Sequence, residues 1–148
     1  MPIALQLLLK GWRSMSINYK DFYDYAAAEV IDGSPEFSLR NGMSRSYYSV
    51  YHLALEYADS VAVPPVSDCK GPTHRKLSEY FEKSFNADME LRRTLRRLGY
   101  SLKQLHDNRV TADYHLDESV TFTKAKEHLL RCDLRLKDFQ SLLSAAAA

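Results

Sequence analysis

"LRRTLRRLGYSLKQLHDNRV", residues 91–110, decides the fold of this chain. Leu91, Leu95, Leu98, Leu102 and Leu105 recur in steps of three and four, the period of one helical face. The next place in that seam is position 109, and there the sequence has arginine. Burying an unpaired charge is costly, so Arg109 has three options. It reaches out to water, finds an internal partner, or stands in a cleft for a chemical reason.

Outward from this stretch the chain is helical throughout. A first helix is predicted from about Tyr19 to Ile31, stopped by "DGSP", whose Gly33 and Pro35 supply a stop and a turn. A second runs from near Glu36 to about Ser60. It carries two apolar stripes, Met43, Val50, Tyr57 and Tyr48, Tyr51, Leu55, as a central helix does. Three prolines and a glycine make residues 61–72 the longest loop. Thr73 is an N-cap for a third helix bearing Leu77, Tyr80 and Phe81, with a break near Asn86, and the leucine-seam helix follows from about Asp88. Asp117 and Glu118 are expected to open the last helix as N-cap and first-turn anion. Its seam is Phe122, Ala125, Leu129, Cys132, Leu136, Phe139, Leu143. The fold class is therefore an all-α antiparallel bundle of four to five helices. Residues 1–14 read as an N-terminal extension, 15–144 as one helical domain, and the alanines of 145–148 as an appended tail.

The 148 residues have room for one ordinary core, and 45% hydrophobic with 26% charged residues fits a globular domain rather than a disordered or membrane-spanning one. The apolar run from Ile3 to Leu9 is too short for a span and lacks a preceding cation, so neither signal peptide nor anchor is expected. Cys69 and Cys132 form no C-x-x-C pattern and are too few for a disulfide framework, which points to a cytoplasmic setting and away from zinc. The net charge of +1 hides an asymmetry. Residues 18–60 carry three Lys/Arg against seven Asp/Glu, while residues 88–110 carry six against three. A polyanion would meet the second region first.

On an unbroken helix His115 would lie about 240° around and about 9 Å along from Arg109. The two converge only if the helix ends between them, and "TADYHLD" supplies an ending, since Thr111 and Asp113 offer the backbone competing hydrogen bonds. Arg binds a phosphodiester through a bidentate fork and His moves protons near neutral pH. Together they suit RNA cleavage by the neighbouring 2′-hydroxyl, which uses no metal. No acidic or Cys/His cluster at ligand spacing offers a metal a home, so no cofactor is expected. The plainer alternative stays open: Arg109 pairs with an acidic residue and His115 caps or packs.

Three segments sharpen this reading. In "RNGMSRSYYSVYHLALEYAD", Arg45, Tyr47, Tyr48, Tyr51 and His52 stand as in the R-x-Y-Y-A-x-F/Y-H pattern of the HEPN (higher eukaryotes and prokaryotes nucleotide-binding) superfamily, which the stretch resembles. "THRKLSEYF", with His74 and Phe81, looks like the segment that follows. "NRVTADYHLD" resembles the family's R-x(4-6)-H signature, with five residues between Arg109 and His115. The resemblance covers about residues 18–143. It implies a dimerising helical bundle that in many members is a metal-independent endoribonuclease, with Arg and His of both subunits lining one cleft. Arg109 and His115 are then the catalytic pair, and Asn108, Asp113 and Tyr114 auxiliary residues. Val110 stands where many active members have a polar residue, and Asp117 where the branch regulated by tyrosine modification has Tyr.

The function expected is an RNase, acting on RNA as a homodimer and controlled from outside as a toxin or anti-phage effector, with an antitoxin or other regulator as partner and no membrane. A HEPN domain that binds nucleotide or RNA without cutting, or an interaction module, is the alternative. Arg92, Arg93, Arg96 and Arg97 lie off the leucine seam, as a solvated face or as a guide for RNA. Tyr47, Tyr48 and Tyr51 read first as core. His52, His74, His106 and His128 read as packed or hydrogen-bonded residues at no metal-site spacing.

Overall fold

The computed structural model describes residues 15–148, so the N-terminal extension lies outside the described residues. Five α-helices follow in order: α1 Tyr19–Glu29, α2 Glu36–Val61, α3 Thr73–Glu82, α4 Met89–Tyr114 and α5 Phe122–Ala147, with one 3₁₀ turn, Val66–Asp68, between α2 and α3. Among the described residues there is no strand. The all-α bundle is as its periodicities predict, and α2, apolar on several faces, is the helix that packs against all four others.

Local chemistry starts the helices. Asn18 accepts from the amide of Lys20 while Asp21 reaches back to the amide of Asn18, a reciprocal cap on α1. Asp88 accepts from the amides of Glu90 and Leu91 and so opens α4. α3 begins one residue beyond Pro72, with Thr73 inside the first turn rather than capping it. α1 ends at Glu29, two residues before the expected Ile31. The last helix corrects the sequence reading: it starts at Phe122 with Thr121 as N-cap, its hydroxyl accepting from the amide of Lys124, and not at Asp117. The cause is tertiary, since the connection before it is held open by residues of α2 described below. At its other end α5 continues through Ala147, because alanine is the best helix former and the tail simply extends it.

Two cores result. The larger gathers Tyr47, Leu53 and Tyr57 of α2, Leu77 and Phe81 of α3, Leu95, Leu98, Leu102 and Leu105 of α4, and Cys132, Leu136 and Phe139 of α5. Tyr57 stacks on Phe81 with ring centroids 6.1 Å apart, and Phe139 meets Phe81 at 5.4 Å. The smaller core joins Ala26 of α1 and Val30, its C-cap, to Leu39, Met43, Ala112, Val120, Ala125 and Leu129. Two glycines allow close approach. A Cβ on Gly99 would lie 2.6 Å from the backbone nitrogen of Glu82, and one on Gly42 would collide with Cγ2 of Val30. His128 is buried beside the smaller core, its Nε2 donating to the carbonyl of Met43 at 3.0 Å. Burial above all, and then Arg131, press its pKa down to about 4, so it packs as a neutral ring.

Candidate functional site

The C-terminal end of α4 leaves carbonyls without helical partners. Arg40 of α2, buried, supplies donors to them. One terminal nitrogen donates to the carbonyls of Ala112 (3.0 Å), His115 (3.2 Å) and Thr111 (3.4 Å). The other donates to the carbonyl of Glu118 and to the Glu36 carboxylate at 2.8 Å. That same Glu36 oxygen accepts from the amide of Val120 at 3.0 Å. The amide of Val120 first, and Arg40 second, hold the Glu36 carboxyl below its ordinary range. Arg40 and Glu36 thus clasp the connection 115–120 to α2, which is why Asp117 and Glu118 cannot enter a helix.

Arg109 stays in the seam and does not reach out to water: it is 7% exposed. Its internal partner is Asp113, one turn on, at 3.4 Å, and Asp113 also accepts from the hydroxyl of Ser44 at 3.1 Å. Tyrosines complete the surroundings. The guanidinium carbon stands 5.7 Å from the ring of Tyr47, 5.4 Å from Tyr48 and 6.0 Å from Tyr114. Its Nε is buried with no partner among the described residues. Tyr48 serves a second cation, since Arg45 lies 5.0 Å from the same ring. One aromatic side chain therefore lies near two guanidinium groups.

Histidines border this patch. The hydroxyl of Tyr47 is 2.7 Å from Nδ1 of His74, and the ring of His106 lies 4.9 Å from that of His74 and 5.6 Å from that of Tyr47. Tyr51 packs on His74 at 4.7 Å, and His52 lies 5.3 Å from Tyr51. Burial raises the Tyr47 phenol, outweighing the lowering by Arg109, so it keeps its proton. Burial, then the positive potentials of His106, Arg109 and His52, bring His74 down to about 4. His74 is accordingly neutral at pH 7. With Tyr47 donating to Nδ1, its Nε2 carries the proton; with His74 donating from Nδ1, Nε2 is a free base. A groove of about 320 Å³ between α3 and α4 opens at this point, lined by His74, Ser78, Leu102, Lys103, His106 and Asp107 among others.

The residues singled out in the sequence divide. Asp113 and Tyr114 join Arg109 directly. α4 does not break at Thr111 or Asp113 but runs through every residue between Arg109 and His115, ending at Tyr114 with His115 as its C-cap, and no hydrogen bond or ion pair joins Arg109 to His115 among the described residues. The His115 ring instead meets Glu118 Oε1 at 3.2 Å and Thr111 Oγ1 at 3.5 Å, and it is half exposed. Asn108 lines a separate cavity of about 270 Å³ with Thr111, Glu118 and His128. Arg92, Arg93, Arg96 and Arg97 lie roughly 18–26 Å along α4 from Arg109, from the helical rise. Arg93 pairs with Glu90 at 3.4 Å, and Arg96 donates to the carbonyl of Ser84.

The sequence reading passed over Tyr47, His74, His106 and Arg45 as members of one cluster, and over the Glu36–Arg40 clasp. A signal existed for His106, which precedes Arg109 by three positions and so shares its helical face. Set against protein-family models, curated proteins and solved structures, the chain has no match. No described helix is long and apolar enough to cross a membrane. Chemically the cluster offers a buried fork for an anion, a second cation beside Tyr48, and imidazoles for moving a proton.

Proposed function

We propose that this chain is a HEPN-type, metal-independent endoribonuclease that cleaves RNA by attack of the 2′-hydroxyl on the adjacent phosphate, under outside control as a toxin or anti-phage effector. One observation carries the reading: Arg109 is held in the core seam by Asp113 and three tyrosines, with its Nε unpartnered among the described residues. Leucine in that position would extend the seam, so packing does not account for the arginine. A phosphate oxygen supplies the missing acceptor, and charge gathering on phosphorus in the transition state strengthens the bond. The resemblance of "NRVTADYHLD" to the R-x(4-6)-H signature adds His115, whose half-exposed ring is open to a second copy of the chain. On this reading the active species is a homodimer in which His115 of one protomer approaches Arg109 of the other.

A second reading draws on a specific feature. Arg109 already has a carboxylate partner and is followed by the apolar Val110, which suits a domain that binds RNA or a nucleotide without cutting it. Purified wild type, Arg109→Ala and His115→Ala incubated with total RNA in EDTA, with the ends mapped, decide between the two. The nuclease reading expects 2′,3′-cyclic phosphate or 3′-phosphate ends from the wild type and about 10²- to 10³-fold fewer from Arg109→Ala. Binding without cleavage, or cleavage that strictly needs magnesium or manganese, overturns it.

A further inference from the structure

We propose that proton transfer in this site belongs to His74 and His106 of the same protomer as Arg109, with His74 the general base and Tyr47 its positioning residue. This rests on the nuclease reading and assigns its acid and base, leaving the partner's His115 to contact the phosphate rather than to move a proton. The geometry leads here. Arg109 and His115 are not joined within a protomer, whereas α3 delivers His74 to the Tyr47 hydroxyl at 2.7 Å, and Tyr47 is the ring over which Arg109 stands at 5.7 Å. His106 reaches the same place from α4, its ring 4.9 Å from that of His74 and three residues before Arg109. Both histidines line the groove between α3 and α4, beside Lys103 and Ser78.

Two imidazoles this close do not both carry a charge, which is the condition a base and an acid require. The groups facing His74 are Tyr47, Tyr48, Tyr51 and His52 from α2 and His106 and Arg109 from α4. The Arg109 guanidinium among them favours neutral His74, and Asp107 Oδ1 lies 3.6 Å from Nδ1 of His106, so the proposed cycle starts with its proton on His106. In the step itself Nδ1–H of His74 donates to the Tyr47 oxygen, and the Nε2 lone pair takes the proton of the 2′-hydroxyl as that oxygen bonds to phosphorus. The P–O5′ bond breaks with its electron pair on the 5′-oxygen, which takes a proton from the imidazolium of His106. His74 ends protonated and His106 neutral. Attack of water on the cyclic phosphate runs both transfers backward and restores the starting state.

The test compares two substrates: an RNA oligonucleotide, and a uridine 3′-(p-nitrophenyl) phosphodiester whose leaving group departs without a proton. His74→Ala and His74→Gln are expected to lose about 10²- to 10⁴-fold in kcat on both. His106→Ala should lose a similar factor on RNA and little on the nitrophenyl ester. Tyr47→Phe, which keeps the ring and removes the hydroxyl, should lower kcat and leave KM unchanged. Circular dichroism and melting curves establish that each variant folds, and the glutamine substitution serves where alanine does not. Wild-type cleavage together with wild-type kcat in both His74 variants overturns the assignment while the nuclease reading survives. So does a His106→Ala defect of equal size on both substrates. A wild type that cleaves neither substrate sinks both.

Discussion

Replacing Arg40 tests whether the clasp, rather than local helix signals, fixes the end of α4 and the start of α5. Arg40→Ala removes the guanidinium bonds to the carbonyls of Thr111, Ala112, His115 and Glu118 and the ion-pair partner of Glu36, while Thr111 and His115 keep the backbone amides of His115 and Glu118. Glu36 is half exposed and regains water once freed, so the ion pair itself adds little. The bond to the Ala112 carbonyl is buried, and leaving that acceptor unsatisfied costs about 1–3 kcal/mol. With the other carbonyl bonds lost as well, a net loss of about 2–3 kcal/mol is expected, equivalent to roughly 6–10 °C in Tm for a domain of this size. Arg40→Lys keeps the charge but reaches fewer of the five acceptors, and should fall between. Thermal melts at pH 7 read the stability, and amide hydrogen exchange reads the connection, where the Val120 amide should lose protection in Arg40→Ala. A melting temperature within about 3 °C of wild type, on the same scale, would refute the clasp.

Three further outcomes follow from single positions. Arg109→Ala and Arg109→Lys should each lower RNA cleavage about 10²- to 10³-fold, because lysine cannot reproduce the planar fork; a destabilised Arg109→Ala beside a fully active Arg109→Lys would make the residue a structural ion pair instead. The His128 ring is neutral when folded down to about pH 4, whereas an unfolded histidine takes up a proton below about pH 6.5, so between those values the unfolded state binds more protons and stability falls as pH falls. Its share is at most about 3 kcal/mol, and urea unfolding at pH 7, 5 and 4 should show a smaller acid loss in His128→Gln than in wild type. Gly99→Ala should lower stability by about 1–2 kcal/mol in urea despite the better helix propensity of alanine, since its Cβ would press on the Glu82 backbone at 2.6 Å; a neutral or stabilising result would mean that α3 and α4 are free to part.

Those clashes and clasps mark where the sequence stops speaking for itself. The helices were readable because each carries its own period: the seam of α4 buries Leu95, Leu98, Leu102 and Leu105, and that of α5 buries Ala125, Leu129, Cys132, Leu136 and Phe139, at the spacing the sequence displays. The start of α5 was not readable. Asp117 is as good an N-cap by residue type as Thr121, and what separates them is Glu36 and Arg40, between 71 and 84 residues away along the chain from the groups they hold. Local preference chose wrongly because a tertiary bond to Val120 and a run of carbonyl bonds to one guanidinium outweigh about 1 kcal/mol of capping.

The site divides in the same way, and the division suggests how such clusters are found. Arg109 announced itself, since a regular seam states what should come next and a cation breaks it. Its companions did not, because Tyr47 and His74 are 27 residues apart and each, alone on its helix, is ordinary. Yet a charge kept in a seam obliges the facing helices to be polar or aromatic at the same level, or the guanidinium would be stranded among leucines. On α2 that level is occupied by Ser44, Tyr47 and Tyr48, the first bonded to Asp113 and the other two stacked around Arg109. Tyr47 then needs a partner for its hydroxyl at the core edge, and His74 of α3 provides it. Each polar group thus requires the next, outward from position 109 to the groove, so a misplaced charge in a helical seam locates a polar layer running across three helices.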